Sequence, residues 1–170
     1  MGVRRCIFGL GGALLCASTA TAQTTRILQT RFEQEQDVIR RARMMTEMSR
    51  ADFHSVSEQV AAGDNTDALK TLQQFVDDAK SCSDTLDTKE SNPESHPAGF
   101  KQLQIATRES LERLDDLMVG LAVDEQMPFQ AIRKNLDQLN RHLIRELFPH
   151  EPQPLDSPAP AAPVQPGVKP

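Results

Sequence analysis

Apolar residues recur at helical spacing along most of this chain. The cleanest run lies near its C-terminus. Phe129, Ile132, Leu136, Leu139 and Leu143 step by three, four, three and four, and Leu147 continues the row. Such steps put one apolar stripe on a helix. They predict a helix from about Glu125 to Phe148 whose stripe packs against an antiparallel neighbour. Phe100, Leu103, Ala106, Leu111, Leu114, Leu117, Met118 and Leu121 predict another over 98–121. Ala68, Leu69, Leu72, Phe75, Val76, Ala79, Cys82 and Leu86 predict a third that ends near Thr88. Before these, Leu28, Phe32, Ile39, Ala42, Met45, Phe53, Val56 and Val60 predict one continuous first helix over 25–62. Glu35 and Ser49 fall where that stripe calls for apolar residues. A helix of this span is roughly 55 Å long, so it should bend or overhang its partners. Strand-type alternation is absent. The expected fold is all-α, a four-helix bundle-like arrangement of two antiparallel helical hairpins, with a long first helix.

The breaks between these segments have their own chemistry. In Gly63-Asp64-Asn65-Thr66, the glycine suits a left-handed helix end, and Asp64 or Asn65 suits the cap of the next helix. The stretch SNPESHPAG at 91–99 holds two prolines and a glycine and reads as the linker between hairpins. In the last turn, Asp124 is the expected N-cap, with Pro128 in the first helical turn. From Pro149 the composition changes abruptly to repeated proline with almost no bulky apolar residue. Residues 149–170 are therefore expected to form a disordered, extended Pro-rich tail.

The N-terminus, MGVRRCIFGLGGALLCASTATAQ, runs from an Arg4-Arg5 start through an apolar stretch to Ala20-Thr21-Ala22. That is the layout of a secretory signal peptide, with cleavage expected after Ala22. The apolar run of Cys6–Cys16 is about half the roughly 20 residues that a membrane-spanning helix needs. Leu15 precedes Cys16, where lipid attachment calls for a small residue. The expected organisation is a leader at 1–22, a helical domain at 23–148 and the tail at 149–170. The protein is expected in the periplasm or outside the cell, with no stable membrane span after cleavage.

Charge and composition narrow the partners. The net charge is −5, and losing Arg4 and Arg5 with the leader makes the mature chain more acidic. Trp and Tyr are absent, so aromatic platforms for stacking bases are few, and no nucleic-acid partner is expected. Cys82 alone remains after cleavage, which rules out a disulfide within the mature chain; it reads as a small apolar filler in or near a helix interface, or else as a thiol with a redox or intermolecular role. Val38–Arg50 carries Arg40, Arg41, Arg43 and Arg50 against Glu47, whereas the segment 63–98 is strongly acidic. These opposite charges fit a closing hairpin or a docking surface.

Candidate chemistry is sparse. Met44 and Met48, at i and i+4, offer soft thioethers for Cu(I), although Met equally fills helix interfaces. His54 faces Glu58 and His142 faces Glu146; brought together, the two pairs could hold zinc. Signatures for calcium loops, haem attachment, nucleotide phosphates and a nucleophile elbow are all missing. The hairpin SVSEQVAAGDNTDALKTLQQFVDDA resembles one tetratricopeptide repeat through Gly63-Asp64, Ala68 and Leu72. Gln59 stands where that family has an aromatic, and no second copy appears at a period of about 34 residues. More loosely, the chain is similar to exported bacterial helical-hairpin proteins of unknown function, a likeness that implies no active site. The expectation is a non-enzymatic protein without a cofactor, acting through a protein partner or self-association. Leu28, Phe32 and Ile39 would form its contact stripe, steered by Arg40, Arg41 and Arg43. The alternative is a periplasmic metal-binding bundle.

Overall fold

The computed structural model describes residues 17–89, 93 and 96–149, with side chains from Thr25 onward. The leader up to Cys16 and the Pro-rich segment from His150 lie outside the described residues. Among the described residues the fold is all-helical: α1 (Ala17–Gln34), α2 (Val38–Ala61), α3 (Asn65–Lys89), α4 (Ala98–Val119) and α5 (Val123–Leu147). None of these helices is long and apolar enough to cross a membrane.

The continuous first helix expected over 25–62 is not formed. Glu35-Gln36-Asp37 interrupts it, and α1 turns back onto α2. Capping explains the break. The Asp37 carboxylate accepts from the Arg40 N–H at 2.9 Å, and the Glu35 carboxylate accepts from the Asp37 N–H at 3.0 Å. Two backbone donors at the start of α2 are thus satisfied by side chains. The expected overhang disappears with the turn, because Phe32 is only 1% exposed and joins the core. The Arg41 guanidinium covers its ring at 4.5 Å from the centroid, within cation–π range.

One face of α2 holds much of the core. Val38, Ala42, Met45, Ser49, Asp52 and Val56 are all buried, at steps of four, three, four, three and four. Ser49, a gap in the sequence stripe, is therefore an inward position. It belongs to a polar chain across α2 and α4. Arg113 donates to Ser49 Oγ at 3.0 Å, the Ser49 and Ser110 hydroxyls meet at 2.7 Å, and Ser110 Oγ donates to the Ala106 carbonyl at 2.7 Å. Since Ser110 spends its proton on Ala106, Ser49 is the donor between the two hydroxyls. Each buried hydroxyl is then satisfied, which avoids the penalty of an unpaired polar group.

α2 packs on α3 and α4, α4 on α5, and α3 on both α4 and α5, whereas the backbones of α2 and α5 stay apart. Polar contacts fix the directions. Asn65 donates to Glu125 at 2.9 Å near the starts of α3 and α5, and His142 meets Asp87 at 2.8 Å near their ends. These two helices therefore run parallel. Gln104 with Asn140, and Arg133 with Asp115, make α4 and α5 antiparallel. At the start of α4, Gly99 lies so close to Leu86 that a Cβ there would collide with that side chain. Along α5, Phe129, Ile132, Leu136 and Leu143 are buried, as their spacing predicts.

Asp64 caps α3, accepting from the Asp67 N–H at 3.3 Å. At α5, Ala122 rather than Asp124 is the N-cap residue. Its N–H donates to the Glu125 carboxylate at 3.4 Å, which leaves Asp124 in the first turn and moves Pro128 into the second. The Pro128 ring has no N–H for the Asp124 carbonyl, and both residues are exposed to water there.

Gly63 has φ +80°. Its N–H reaches the Val60 carbonyl at 2.9 Å, and the Asp64 N–H reaches Gln59 at 2.8 Å. That double closure is the Schellman motif, which favours glycine. A Cβ at Gly63 would meet nothing within 4 Å, so only backbone strain opposes substitution. Gly63→Ala is expected to cost about 1–2 kcal/mol, and Gly63→Asn less, read as shifts of the urea unfolding midpoint.

Candidate functional site between α3 and α5

The residues singled out by sequence occupy separate places. Met48 is 2% exposed, inside the core, while Met44 is partly buried beside Leu28. Shared spacing on α2 therefore leaves the two thioethers in different surroundings, and Met44 borders a shallow hollow with Arg31 and Glu47. His54 is exposed on α2, 3.7 Å from Glu58. His142 lies on α5, 2.8 Å from Asp87 and 3.9 Å from Glu146. The structure does not bring the two His–Glu pairs together, because the backbones of α2 and α5 do not approach. Among the described residues, no three His, Cys, Asp or Glu side chains are grouped to hold a metal ion. Leu28 packs against the core, Ile39 is half-buried, and Arg43 is exposed. Arg40 pairs with its own helix cap Asp37 at 3.9 Å. Arg41 lies over Phe32 with its Nε buried and unpartnered.

A polar cluster sits beneath α1. Gln29 on α1 donates to the Asp78 carboxylate on α3 at 3.0 Å, and Gln74 does so at 3.2 Å. Asp78 is half-buried, and that burial raises its pKa despite the two donors. Asp52 on α2 is 6% exposed. Burial first, and the neighbouring Asp78 carboxylate second, push Asp52 up to about 7. Cys82 is fully buried nearby, and burial pushes its thiol up to about 11. A buried, protonated thiol is a packing group rather than a nucleophile.

The most site-like feature lies between the parallel helices α3 and α5. There a hollow of about 440 Å³ is lined by Gln73, Val76, Asp77, Lys80, Ser83, Asp84 and Asp87 from α3 and by Asn135, Gln138, Leu139 and His142 from α5. Asp77 and Asp84 are seven residues apart, two helical turns, so both carboxylates share one face. Val76 and Leu139 give the hollow an apolar component. Ser83 is 1% exposed, and its hydroxyl has no hydrogen-bond partner. Sequence reasoning registered the acidic character of α3 and the position of His142. It missed Ser83, Asn135 and Gln138, which look like ordinary polar residues until the two helices lie side by side. The Asp77–Asp84 spacing was the one available signal.

No family model matches the chain, and neither the curated proteins nor the solved structures contain a match.

The buried carboxyl of Asp52 makes stability depend on pH. The folded protein holds this proton up to about pH 7, whereas the unfolded chain releases it near the ordinary value of 3.8. Between these values the folded state binds more protons, so stability falls as pH rises from about 4 to about 7. Asp52→Asn should remove this component of the slope. At pH 8 it should stabilise the protein by on the order of a few kcal/mol, measured by urea unfolding across the pH range.

Proposed function

We propose that this is an exported, non-enzymatic helical protein that acts through protein–protein contact, self-association included. On this reading, α2 to α5 form a four-helix bundle of two antiparallel hairpins, with α1 as a strap across α2. Cleavage after Ala22 would keep Leu28 and Phe32, the residues that seat the strap. The arginine start, apolar run and small-residue site at 1–22 support a periplasmic or extracellular location, and the segment after Pro149 then serves as a solvated extension.

The observation that carries the contact reading is the turn between α4 and α5. Val119, Val123 and Met127 are 86%, 85% and 74% exposed. Val123 and Met127 are i and i+4 neighbours on α5, and Val119 ends α4 across a short turn. Apolar side chains grouped at one tip are candidates for burial against another protein surface. Their exposure also means that replacing them should scarcely affect folding.

Light scattering after size exclusion tests this reading. The mature chain is expected to gain apparent mass with concentration, and Val119→Ser/Val123→Ser/Met127→Ser should weaken that association by roughly tenfold or more, equivalent to about 1.4 kcal/mol. The unfolding midpoint should stay close to that of the parent. A chain that is monomeric at every concentration and captures no partner from the native envelope would sink the proposal. Export is checked separately, by finding Gln23 at the N-terminus of the mature protein.

A further inference from the structure

We propose that two copies of this chain exchange α1, each seating its own α1 on the α2 face of the other, with Glu35-Gln36-Asp37 as the hinge. The strap is a separable unit. Among the described helices its backbone approaches only α2. Among its described side chains only Phe32 is fully buried, with Leu28 packed beside the core. Cleavage after Ala22 would leave α1 residues 23–34, below the roughly 12–15 residues at which even a good helix former is marginal in water. Detached, α1 is therefore ordered only where a matching seat exists. That seat is specific. It covers Phe32 with the Arg41 guanidinium at 4.5 Å, places Leu28 and Met44 around one hollow, and offers the Asp78 carboxylate to the Gln29 amide at 3.0 Å. A second copy carries the same seat and, in its own α1, the segment that fits this one.

The hinge favours exchange because the closed chain breaks a helix that its sequence would otherwise continue. Glu35-Gln36-Asp37 contains neither glycine nor proline, and Phe32 and Ile39 stay in phase across it. The backbone ladder stops with the Glu35 N–H on the Arg31 carbonyl at 3.0 Å and resumes with the Arg41 N–H on the Asp37 carbonyl at 2.9 Å. Between them, side chains replace the ladder at the Asp37 and Arg40 N–H groups. The closed chain gives up the intervening ladder bonds in order to bury Phe32. An exchanged pair keeps both, because each hinge straightens into helix and each Phe32 is covered by the other copy. Against this stand the lost side-chain caps and the entropy of association. The register permits the exchange. Leu28 and Met44 each stand eight positions from Gln36, and Phe32 and Arg41 stand four and five away. Two straightened helices laid antiparallel about a two-fold axis at Gln36 therefore repeat the α1–α2 contacts between chains. No new surface is needed, which is why swapping an identical element is a low-cost route to a dimer and short hinges invite it.

Disulfide trapping of the mature protein tests the exchange in a Cys82→Ala background, which leaves no native thiol. Leu28→Cys is placed in one chain and Met44→Cys in another; the two are unfolded in urea, mixed at high concentration, refolded and treated with oxidised glutathione. A disulfide-linked heterodimer is expected, whereas Leu28→Cys/Met44→Cys within one chain, refolded at high dilution, should close on itself. Pairing Leu28→Cys with Arg50→Cys, an exposed position on α2, should give far less heterodimer. A second measurement needs no cysteine. In light scattering after size exclusion, Glu35→Ala/Asp37→Ala should lower the dimer dissociation constant by roughly tenfold or more, because it removes the acceptors that hold the break. Gln36→Pro should raise it by a comparable factor, because proline interrupts a helix running through the hinge. The proposal is overturned if no heterodimer forms where the single-chain pair closes, if the Arg50→Cys control crosslinks equally well, or if the cap and proline variants leave the dissociation constant unchanged. This exchange does not rest on the contact at Val119. The hinge precedes Val38, whereas the α4–α5 turn lies beside Asn65, past the other end of α2. Val119→Ser/Val123→Ser/Met127→Ser should leave the heterodisulfide intact, so failure of the exchange and failure of the contact reading are distinguishable.

Discussion

Burial of a single face of α2 is the constraint on which the rest of the molecule depends. That face meets three helices: α1 folded back from the preceding turn, α3 across the Gly63 turn, and α4 from the second hairpin. Nearly every other placement follows from it. Phe32 brings α1 down onto the face, Phe53 meets Phe75 edge-on at a centroid distance of 6.2 Å, and Ser49 sets the level at which α4 crosses. α5 never approaches α2 and is held through α3 and α4. The groove beside α5 is thus a consequence of packing order, since it lies on the side of α3 that α2 does not cover.

The face is not uniformly apolar, and its two polar members behave differently. Ser49 is fully satisfied by Ser110 and Arg113. A satisfied polar pair in a helix interface costs little and penalises any shift in register that would separate its partners. Asp52 stays in the core by keeping its proton, because desolvation and Asp78 both disfavour the charge. The acidic residues of α3 therefore act in two directions. Asp78 faces inward, where it meets Gln29 and raises its neighbour's pKa. Asp77, Asp84 and Asp87 line the groove on the α5 side.

Most of the helical architecture was legible as spacing. Runs such as Phe129, Ile132, Leu136 and Leu143 announce both the helix and its buried face, because amphipathicity is a local property of a period near 3.6 residues. Gly63 was legible for a similar reason, since a left-handed helix end has a strong residue preference. The break at Glu35–Asp37 was less so. Phe32 and Ile39 are seven residues apart and stay in phase for a continuous helix, so the stripe alone favours one long element. The carboxylates that cap α2 decide otherwise, together with the gain from covering Phe32. In hindsight Glu35 and Ser49, both gaps in the stripe, mark two different events: the first a chain reversal, the second a buried polar contact.

The sequence by itself determined the helical class, the positions of the main turns, and which side of α3, α4 and α5 turns inward. Those properties depend on residues within a few positions of each other. Tertiary structure alone decided that α1 reverses, that α3 and α5 run parallel, and that His54 and His142 end up on helices whose backbones never approach. It also decided that Ser83 is buried without a hydrogen-bond partner. These outcomes depend on which helix covers which, a competition among burial, capping and polar satisfaction across distant segments, and spacing along one helix carries no information about its neighbour.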